Sequence, residues 1–251
     1  MPVASAGVGS EPVAQPGLFP TDAFLTELLL IRHGQSAAVV PGAHDSGDPS
    51  LSEVGRSQAA ALAGRLARRT IDAVYSSHLA RAVQTAEPIA ADHSLAVVQD
   101  QDLREVDLGD WSNGGYRRRA AAHDPEFLRF VAAGRWDLIP GSEGDGPFRR
   151  RVMTAVHQLA EVHPDQTLAV VCHGGVINAV LAEIVGIERS TFSPIENTSV
   201  TIVRFDQPTD RWLIVNLNDA AHLYDVVAGT ADVPPTAITA GRESSDLPTH
   251  Q

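Results

Sequence analysis

Short apolar runs alternate with longer amphipathic segments along most of the chain. The runs at residues 27–33, 71–77 and 167–173 are dense in Leu, Ile and Val, and they predict buried β-strands. Two later runs, at residues 198–205 and 211–218, predict strands joined by a turn around Pro208 and Asp210. The predicted strands before residue 174 are separated by segments with helical periodicity.

Four of these longer segments predict helices, at residues 51–69, 79–92, 148–163 and 175–186. Ser52 is the expected N-cap of the first helix, and its apolar positions are Val54, Ala61, Leu62 and Leu66. Pro88 predicts a kink near the end of the second helix.

Strands that alternate with helices indicate a mostly parallel sheet with helices on both faces. We therefore expect an α/β fold, a three-layer αβα sandwich, over residues 26–226. A lid insertion is expected at about residues 111–148. Residues 1–25 and 227–251 are rich in Pro, Gly, Ser and Thr, and they predict a flexible leader and a flexible tail.

Composition and charge limit the kinds of partner that the protein is expected to bind. A formal net charge of -12 argues against nucleic acid and against an anionic membrane surface. No apolar run approaches the roughly 20 residues of a membrane span. One cysteine in 251 residues cannot form an internal disulfide, which suits a reducing compartment, and we expect a cytoplasmic protein. A small molecule is the expected ligand, with a second copy of the chain as a further candidate partner.

The sequence has 19 arginines and no lysine. This composition excludes a P-loop lysine and a lysine Schiff base. Any bound anion must therefore be held by Arg, by His or by backbone N–H groups.

Three predicted strands end in polar residues. Arg32 and His33 follow the first strand, Ser76 and Ser77 end the second, and His173 follows the third. Ligands of open α/β sheets gather at the carboxyl ends of the strands. Together with Arg81, which begins the next predicted helix, these residues predict a site for a tetrahedral oxyanion such as phosphate.

Four segments carry a family resemblance: LIRHGQS, SSHLARAVQTA, LREVDLGDWS and VVCHGGVINAVL. In order and spacing they resemble the signature segments of the histidine phosphatase superfamily, in its phosphoglycerate mutase-like branch. DPSLSEVGRSQA and LNDAAHL resemble its minor motifs. The likeness extends from Glu27 to Leu223.

The resemblance implies a role for each matching residue. His33 corresponds to the histidine that becomes phosphorylated and Glu105 to the proton donor, while the phosphoryl oxygens are held by Arg32, Arg81 and His173. We further expect substrate contacts from residues beside these motifs and in the lid loop, namely Gln35, Ser36, Gly174, Ser142 and Glu143. Two guanidiniums near His33 should lower its pKa and keep it nucleophilic.

Several alternatives remain beside these roles. Asp107 is the rival acid to Glu105, and Cys172 is expected to be a buried apolar residue because Asn178 stands where a cysteine phosphatase has arginine. One arginine of the triplet 117–119 could reach the substrate. Val39 and Gly144 depart from the family pattern, at positions that commonly hold asparagine and serine, so the substrate stays open.

The sequence thus predicts an enzyme that cleaves phosphomonoesters of small metabolites through phosphohistidine, with no metal and no cofactor. A mutase is one alternative, although a lid of about 40 residues is short for excluding water. A phosphate-binding protein without catalysis is the other.

Overall fold

The structure, a computed structural model, describes residues 25–39 and 47–223. The predicted leader, apart from Leu25, and the predicted tail lie outside these residues, as does the end of the expected domain at 224–226.

The described residues form one six-stranded sheet of order β3-β2-β4-β1-β5-β6. The first three strands along the chain are β1 (Leu25–Arg32), β2 (Ala73–Ser77) and β3 (Val97–Asp100). They are followed by β4 (Thr167–Cys172), β5 (Val200–Asp206) and β6 (Arg211–Asp219). Strands β3, β2, β4 and β1 are parallel, β5 is antiparallel to β1, and β6 is antiparallel to β5. The sheet is therefore mostly parallel, as predicted.

The central strand β1 buries residues of both of its faces. Leu28 and Leu30 belong to the apolar core on one side of the sheet, and Leu29 and Ile31 belong to the core on the other side. This alternation follows from the two-residue period of a strand. A continuous apolar run is what a strand covered by helices on both faces requires.

Helices cover each face of the sheet and complete the predicted three-layer sandwich. Helices α1 (Glu53–Leu66) and α2 (Ala80–Asp92) pack on the face of Leu29, while α5 (Asp145–Val162) and α6 (Gly174–Val185) pack on the face of Leu28. None of the helices in residues 25–39 and 47–223 is both long and apolar enough to cross a membrane.

The predicted lid segment contains two short helices, α3 (Gly115–Ala121) and α4 (Pro125–Ala133), and its last residues form the first turn of α5, which begins at Asp145. Asp124 caps α4 and Pro125 occupies its first turn, which is a favourable start for a helix. Aromatic rings of the lid pack on one another and join the core on the α5 side of the sheet: Trp111, Tyr116, Phe127, Phe130 and Trp136. The lid is therefore fixed to the sheet by apolar packing.

Some elements differ from the sequence predictions. Strand β3 was not predicted, because Val97 and Val98 form too short an apolar run, and Val98 is exposed. Val54, one of the apolar positions that predicted the first helix, is 52% exposed, while the next residue, Gly55, is buried. Ser52 caps α1 as predicted, accepting a hydrogen bond from Gly55 N. Helix α2 ends at Asp92 as predicted, with Pro88 inside it.

Candidate active site

The sheet topology brings three strand ends together. Strand β4 lies between β2 and β1, and in the register of β1 with β4 Arg32 is opposite Cys172. The residues that follow these two are His33 and His173, so both histidines emerge at the same edge. Their ring centroids are 5.1 Å apart. Ser77 ends the neighbouring strand β2 at this edge.

The contacts of His33 define its tautomer. Its Nδ1 lies 2.7 Å from Gly34 O, which can only accept, so Nδ1 carries the proton. Its Nε2 lies 3.2 Å from Arg81 Nε, which can only donate. Nε2 therefore holds a lone pair directed at the cationic side of the site.

The surroundings of His33 disfavour its protonated form. Burial lowers the pKa of His33 well below the ordinary value of 6.5, and the charges of Arg81 and Arg32 lower it further. The hydrogen bond to Gly34 O acts in the opposite direction and is outweighed. At neutral pH the imidazole is therefore neutral, which is the form a nucleophile requires.

Arg81 is oriented by residues on two sides. Asp48 accepts hydrogen bonds from Ala80 N at 2.9 and 3.0 Å and lies 3.4 Å from Arg81 Nη1, so it holds both the start of α2 and the guanidinium. Thr85 donates to Arg81 O at 2.7 Å and accepts from Gly34 N at 3.0 Å. One turn of α2 thus ties Arg81 to the loop after His33.

His173 is fully buried, and its neighbours define its tautomer too. Arg81 Nη2 lies 3.4 Å from His173 Nδ1, so Nδ1 is the acceptor and Nε2 donates to Ser77 Oγ at 2.9 Å. Burial lowers the pKa of His173 well below 6.5, and the neighbouring His33 and Arg81 contribute further. The ring is therefore neutral before a substrate arrives.

Arg32 presents one free donor to the site. Its Nη1 donates to Ile195 O, whereas its buried Nε has no hydrogen-bond partner among the described residues. A buried donor without a partner is costly and suggests a missing acceptor such as an oxyanion. Gly174 lies beside it: a Cβ at Gly174 would be 3.6 Å from Arg32 Nε.

Glu105 approaches from the loop after β3. Its Oε2 accepts a hydrogen bond from Gly175 N at 3.1 Å, and its Oε1 accepts from Val106 N at 3.0 Å. A Cβ at Gly175 would lie 2.2 Å from Oε1, so only glycine admits the carboxylate here. The charge of Glu105 raises the pKa of Arg32 and Arg81 against the larger effect of their burial. Asp107 instead accepts from Gly109 N at 2.9 Å.

The lid adds a third guanidinium. Arg117 donates to Ser36 Oγ at 2.7 Å and to Ala37 O at 3.0 Å, so α3 is tied to the loop after His33. Its charge also lowers the pKa of His33, Arg32 and Arg81. Of the predicted triplet 117–119, this is the arginine that reaches the site.

The residues predicted to contact substrate lie in two places. Gln35, Ser36 and Gly174 adjoin the histidines, with Ser36 already bound to Arg117. Ser142 instead donates to Trp136 O at 2.8 Å. Glu143 forms two hydrogen bonds with Arg151, at 2.8 and 2.7 Å. The side chain of Ser142 therefore contacts the lid itself, whereas Glu143 contacts α5 and, through Asp107 N at 3.4 Å, the segment that carries Glu105.

Three further observations bear on other expectations from the sequence. Cys172 is fully buried, and burial raises the pKa of its thiol well above the usual range, so it behaves as an apolar residue. Gly144 has φ 78° and ψ 159°, a region essentially restricted to glycine, which explains why serine does not stand there. In the described part of the chain, no cluster of three or more His, Cys, Asp and Glu side chains is arranged to hold a metal ion.

Asp48 and Thr85 support the site, although no sequence motif predicted a role for either residue. Asp48 begins the minor motif DPSLSEVGRSQA, but nothing in the sequence tells that its carboxylate reaches the start of α2. Thr85 lies four residues after Arg81, one helical turn away, and that spacing is the only signal for its contact with Arg81 O.

The chain is similar in sequence and in structure to proteins that are named phosphatases. A family model described as histidine phosphatase superfamily (branch 1) matches residues 28–220. A metal-independent phosphoserine phosphatase of Arabidopsis thaliana is 35% identical over 211 residues, which cover 80% of this chain and 85% of the relative. Phosphoserine phosphatase 1 of Hydrogenobacter thermophilus is 30% identical, covering 79% of this chain and 95% of the relative. The native structure of a mycobacterial glucosyl-3-phosphoglycerate phosphatase matches at a TM-score of 0.65 and 28% identity, covering 76% of this chain and 98% of that one.

Proposed function

The chain belongs to branch 1 of the histidine phosphatase superfamily, and from this premise we propose that it hydrolyses small phosphomonoesters through a phosphohistidine on His33. Family membership and relatives that are named phosphatases make it a phosphatase of the histidine phosphatase type. The observation that supports the mechanism most strongly is the Nδ1 hydrogen bond to Gly34 O, which leaves Nε2 unprotonated among guanidiniums.

In the first step, the Nε2 lone pair of His33 attacks phosphorus and the bond from phosphorus to the ester oxygen breaks. Arg32 and Arg81 neutralise the phosphoryl oxygens, and the free Nε of Arg32 gains an acceptor. Glu105 takes up a proton that arrives with the ester and gives it to the departing alkoxide, so the alcohol leaves neutral.

In the second step, water attacks the phosphorus of phosphohistidine on the face that the alcohol left. Glu105, now a carboxylate, takes a proton from that water, and the bond from phosphorus to Nε2 breaks. Inorganic phosphate leaves and the neutral imidazole is restored. One carboxyl group thus serves as acid and then as base, and the scheme uses no metal ion.

We further propose that the substrate carries a carboxylate near its phosphate. Two relatives are named for phosphoserine and for glucosyl-3-phosphoglycerate, and both of these compounds are phosphate esters of three-carbon acids. Arg117 is a third cation beside His33, and its charge lowers the pKa of His33 as those of Arg81 and Arg32 do. Its position on the lid, beside Ser36, suits an anionic group next to the phosphate.

The mechanism is tested by hydrolysis of 4-nitrophenyl phosphate in the presence of a chelator. Wild type should release phosphate under these conditions and His33→Ala should not. Equal activity of the two proteins, or activity that disappears with the chelator, would reject the mechanism. Transfer of phosphate between phosphoglycerates that is faster than its release to water would favour the mutase alternative instead.

The substrate class is tested with phosphoserine and phosphoethanolamine, which differ by one carboxylate. In Arg117→Ala, kcat/KM for phosphoserine should fall by roughly tenfold or more relative to kcat/KM for phosphoethanolamine, as expected for a lost charge-assisted hydrogen bond to the carboxylate. Arg118→Ala is the matched control, since the one hydrogen bond of the Arg118 side chain within the described residues goes to Asn113 O, at 3.4 Å. A loss of equal size for both substrates would show that Arg117 does not read the carboxylate.

A further inference from the structure

Thr198 has an unusual backbone conformation beside the site. It is fully buried in the segment before β5, and its φ is 57°. A β-branched residue at positive φ is an outlier, because its side chain crowds the backbone. Such strain persists only where the surroundings impose it, and it is concentrated at functional sites. The contacts of Thr198 show what imposes it.

The backbone of Thr198 and its neighbour hold two carbonyl groups of the site. Thr198 N donates to Arg32 O at 2.9 Å, and Asn197 Nδ2 donates to His33 O at 2.8 Å. These carbonyls belong to the two residues that precede Gly34, whose own carbonyl fixes the tautomer of His33. The segment therefore holds the backbone of Arg32 and His33 in place.

A directed chain of hydrogen bonds runs from the rim of the sheet to this segment. Arg65 Nη1, which can only donate, lies 3.3 Å from His222 Nδ1, so the proton of His222 resides on Nε2. His222 Nε2 then donates to Thr198 Oγ1 at 3.0 Å, and Thr198 Oγ1 donates to Asn197 O at 2.7 Å. In this series of hydrogen bonds, each donor therefore faces an acceptor.

The outer end of the chain is held by an ion pair. Arg65 binds both carboxylate oxygens of Asp219, through Nη1 at 3.0 Å and through Nη2. Burial and Arg65 lower the pKa of His222 to about 4, so its ring is neutral at physiological pH. If the ring were protonated, the N–H at Nδ1 would point at the guanidinium of Arg65. Two donors would then face each other, and the hydrogen bond from Arg65 would be lost.

We propose that Thr198 and His222 are positioning residues that fix the backbone of Arg32 and His33 and so aim His33 Nε2 at phosphorus. The proposal rests on the proposed function and adds to it the minor motif LNDAAHL, which supplies Asp219 and His222 and has no other role in the site. Nucleophile geometry matters because a displacement of about 1 Å can cost roughly 10²-fold in rate.

The test compares variants of equal shape. Thr198→Val keeps the β-branched shape and removes the hydroxyl, and it should lower the rate constant of phosphohistidine formation by roughly ten- to hundredfold, with KM little changed. Thr198→Ser keeps the hydroxyl and should restore most of the rate. His222→Leu should lower the same rate constant, whereas His222→Gln can accept from Arg65 and donate to Thr198 and should retain it.

A double variant and a spectroscopic signal separate positioning from general stability. Because both residues act through one chain, Thr198→Val with His222→Leu should be no slower than the slower single variant. The ¹⁵N signals of the His33 imidazole should shift in Thr198→Val and return in Thr198→Ser. Thr209→Val is the control, since Thr209 contacts Asp206 on the surface and should leave rate and signals unchanged.

The outcomes distinguish the two proposals. If wild type forms no phosphohistidine, the proposed function fails. If wild type forms it and both Thr198→Val and His222→Leu form it at the same rate, the positioning role is wrong and the mechanism stands. Should Thr198→Val not fold, His222→Leu and His222→Gln carry the test, and equal rates in those two would overturn the proposal.

Discussion

In the proposed mechanism, the protonation and orientation of each catalytic group are determined by the residues around it. His33 is 8% exposed, donates from Nδ1 to Gly34 O, and faces Arg81 with Nε2. Arg81 is held by Asp48, and the buried Nε of Arg32 has no hydrogen-bond partner within residues 25–39 and 47–223. The charge needed to bind a phosphoryl group is therefore in place before substrate arrives, which is how preorganised sites lower a barrier.

Replacing Glu105 by Gln tests the acid at the residue scale. Loss of general acid catalysis should slow phosphohistidine formation from phosphoserine by roughly 10²–10⁴-fold. Formation from 4-nitrophenyl phosphate should slow far less, because nitrophenolate leaves without a proton. Single-turnover quench-flow with both substrates measures the two rate constants.

Asp107→Asn is the control for that experiment, since Asp107 accepts from Gly109 N and is exposed. It should leave both rate constants close to wild type. An equal loss for both substrates in Glu105→Gln, or a substrate-dependent loss in Asp107→Asn, would contradict the assignment of the acid.

Much of the core of the site is visible in the sequence, and its supports are not. Arg32, His33 and His173 follow apolar runs, so the meeting of strand ends predicts their proximity. The roles of Asp48 and Thr198 depend on contacts between segments distant in the chain. No local pattern encodes such contacts.

At the scale of elements, the start of α6 links Glu105, the proposed acid, to His173, which is expected to hold a phosphoryl oxygen. Helix α6 begins directly after His173, and its second residue, Gly175, donates to Glu105. Gly175 allows this approach, because a Cβ there would lie 2.2 Å from Glu105 Oε1. The sequence VCHGG therefore positions two catalytic groups through one helix start.

Gly175→Ala should displace the Glu105 carboxylate and lower kcat for phosphoserine by roughly ten- to hundredfold. Steady-state kinetics provides the measurement. Gly64→Ala in α1 is the matched control, because a Cβ there meets nothing within 4 Å. It should leave kcat unchanged and raise the free energy of unfolding by about 0.5–1 kcal/mol. Unchanged kcat in Gly175→Ala would show that the close approach does not matter.

The predicted elements differ in how well their patterns specified them. The apolar runs of β1 and β4 and the cap at Ser52 were sufficient to locate elements in the core. The lid and β3 were harder, since a four-residue strand such as β3 has no resolvable period. Asp124 followed by Pro125 was a usable start signal for α4 that the prediction left inside an undivided lid.

At the scale of the whole molecule, three histidines link folding to protonation. Burial is the largest cause that lowers the pKa of His33, of His173 and of His222 below 6.5, and the value for His222 is about 4. The unfolded chain therefore binds more protons than the folded one below pH 6.5. Stability must then rise with pH through this range and fall as the solution is acidified.

Urea unfolding at pH 7.5, 6.5 and 5.5 should show a falling free energy of unfolding as the pH decreases. The slope should be shallower in His222→Gln, which removes one of the three groups. A histidine whose pKa is one unit lower in the folded than in the unfolded chain accounts for a loss of about 1.4 kcal/mol in the free energy of unfolding. That loss is complete once the pH is below both pKa values. Stability that is constant or increases between pH 6.5 and 5.5 would contradict the neutral, buried state of these histidines.

The central claim is that His33 Nε2 receives the phosphoryl group, and trapping that bond tests it most directly. Wild type is mixed with ³²P-labelled substrate, quenched in alkali within milliseconds, digested and mapped by mass spectrometry. The account predicts an alkali-stable, acid-labile phosphate on Nε2 of His33 that forms and decays at rates fast enough for turnover. Turnover without phosphate on His33, or with phosphate on another residue, would contradict it.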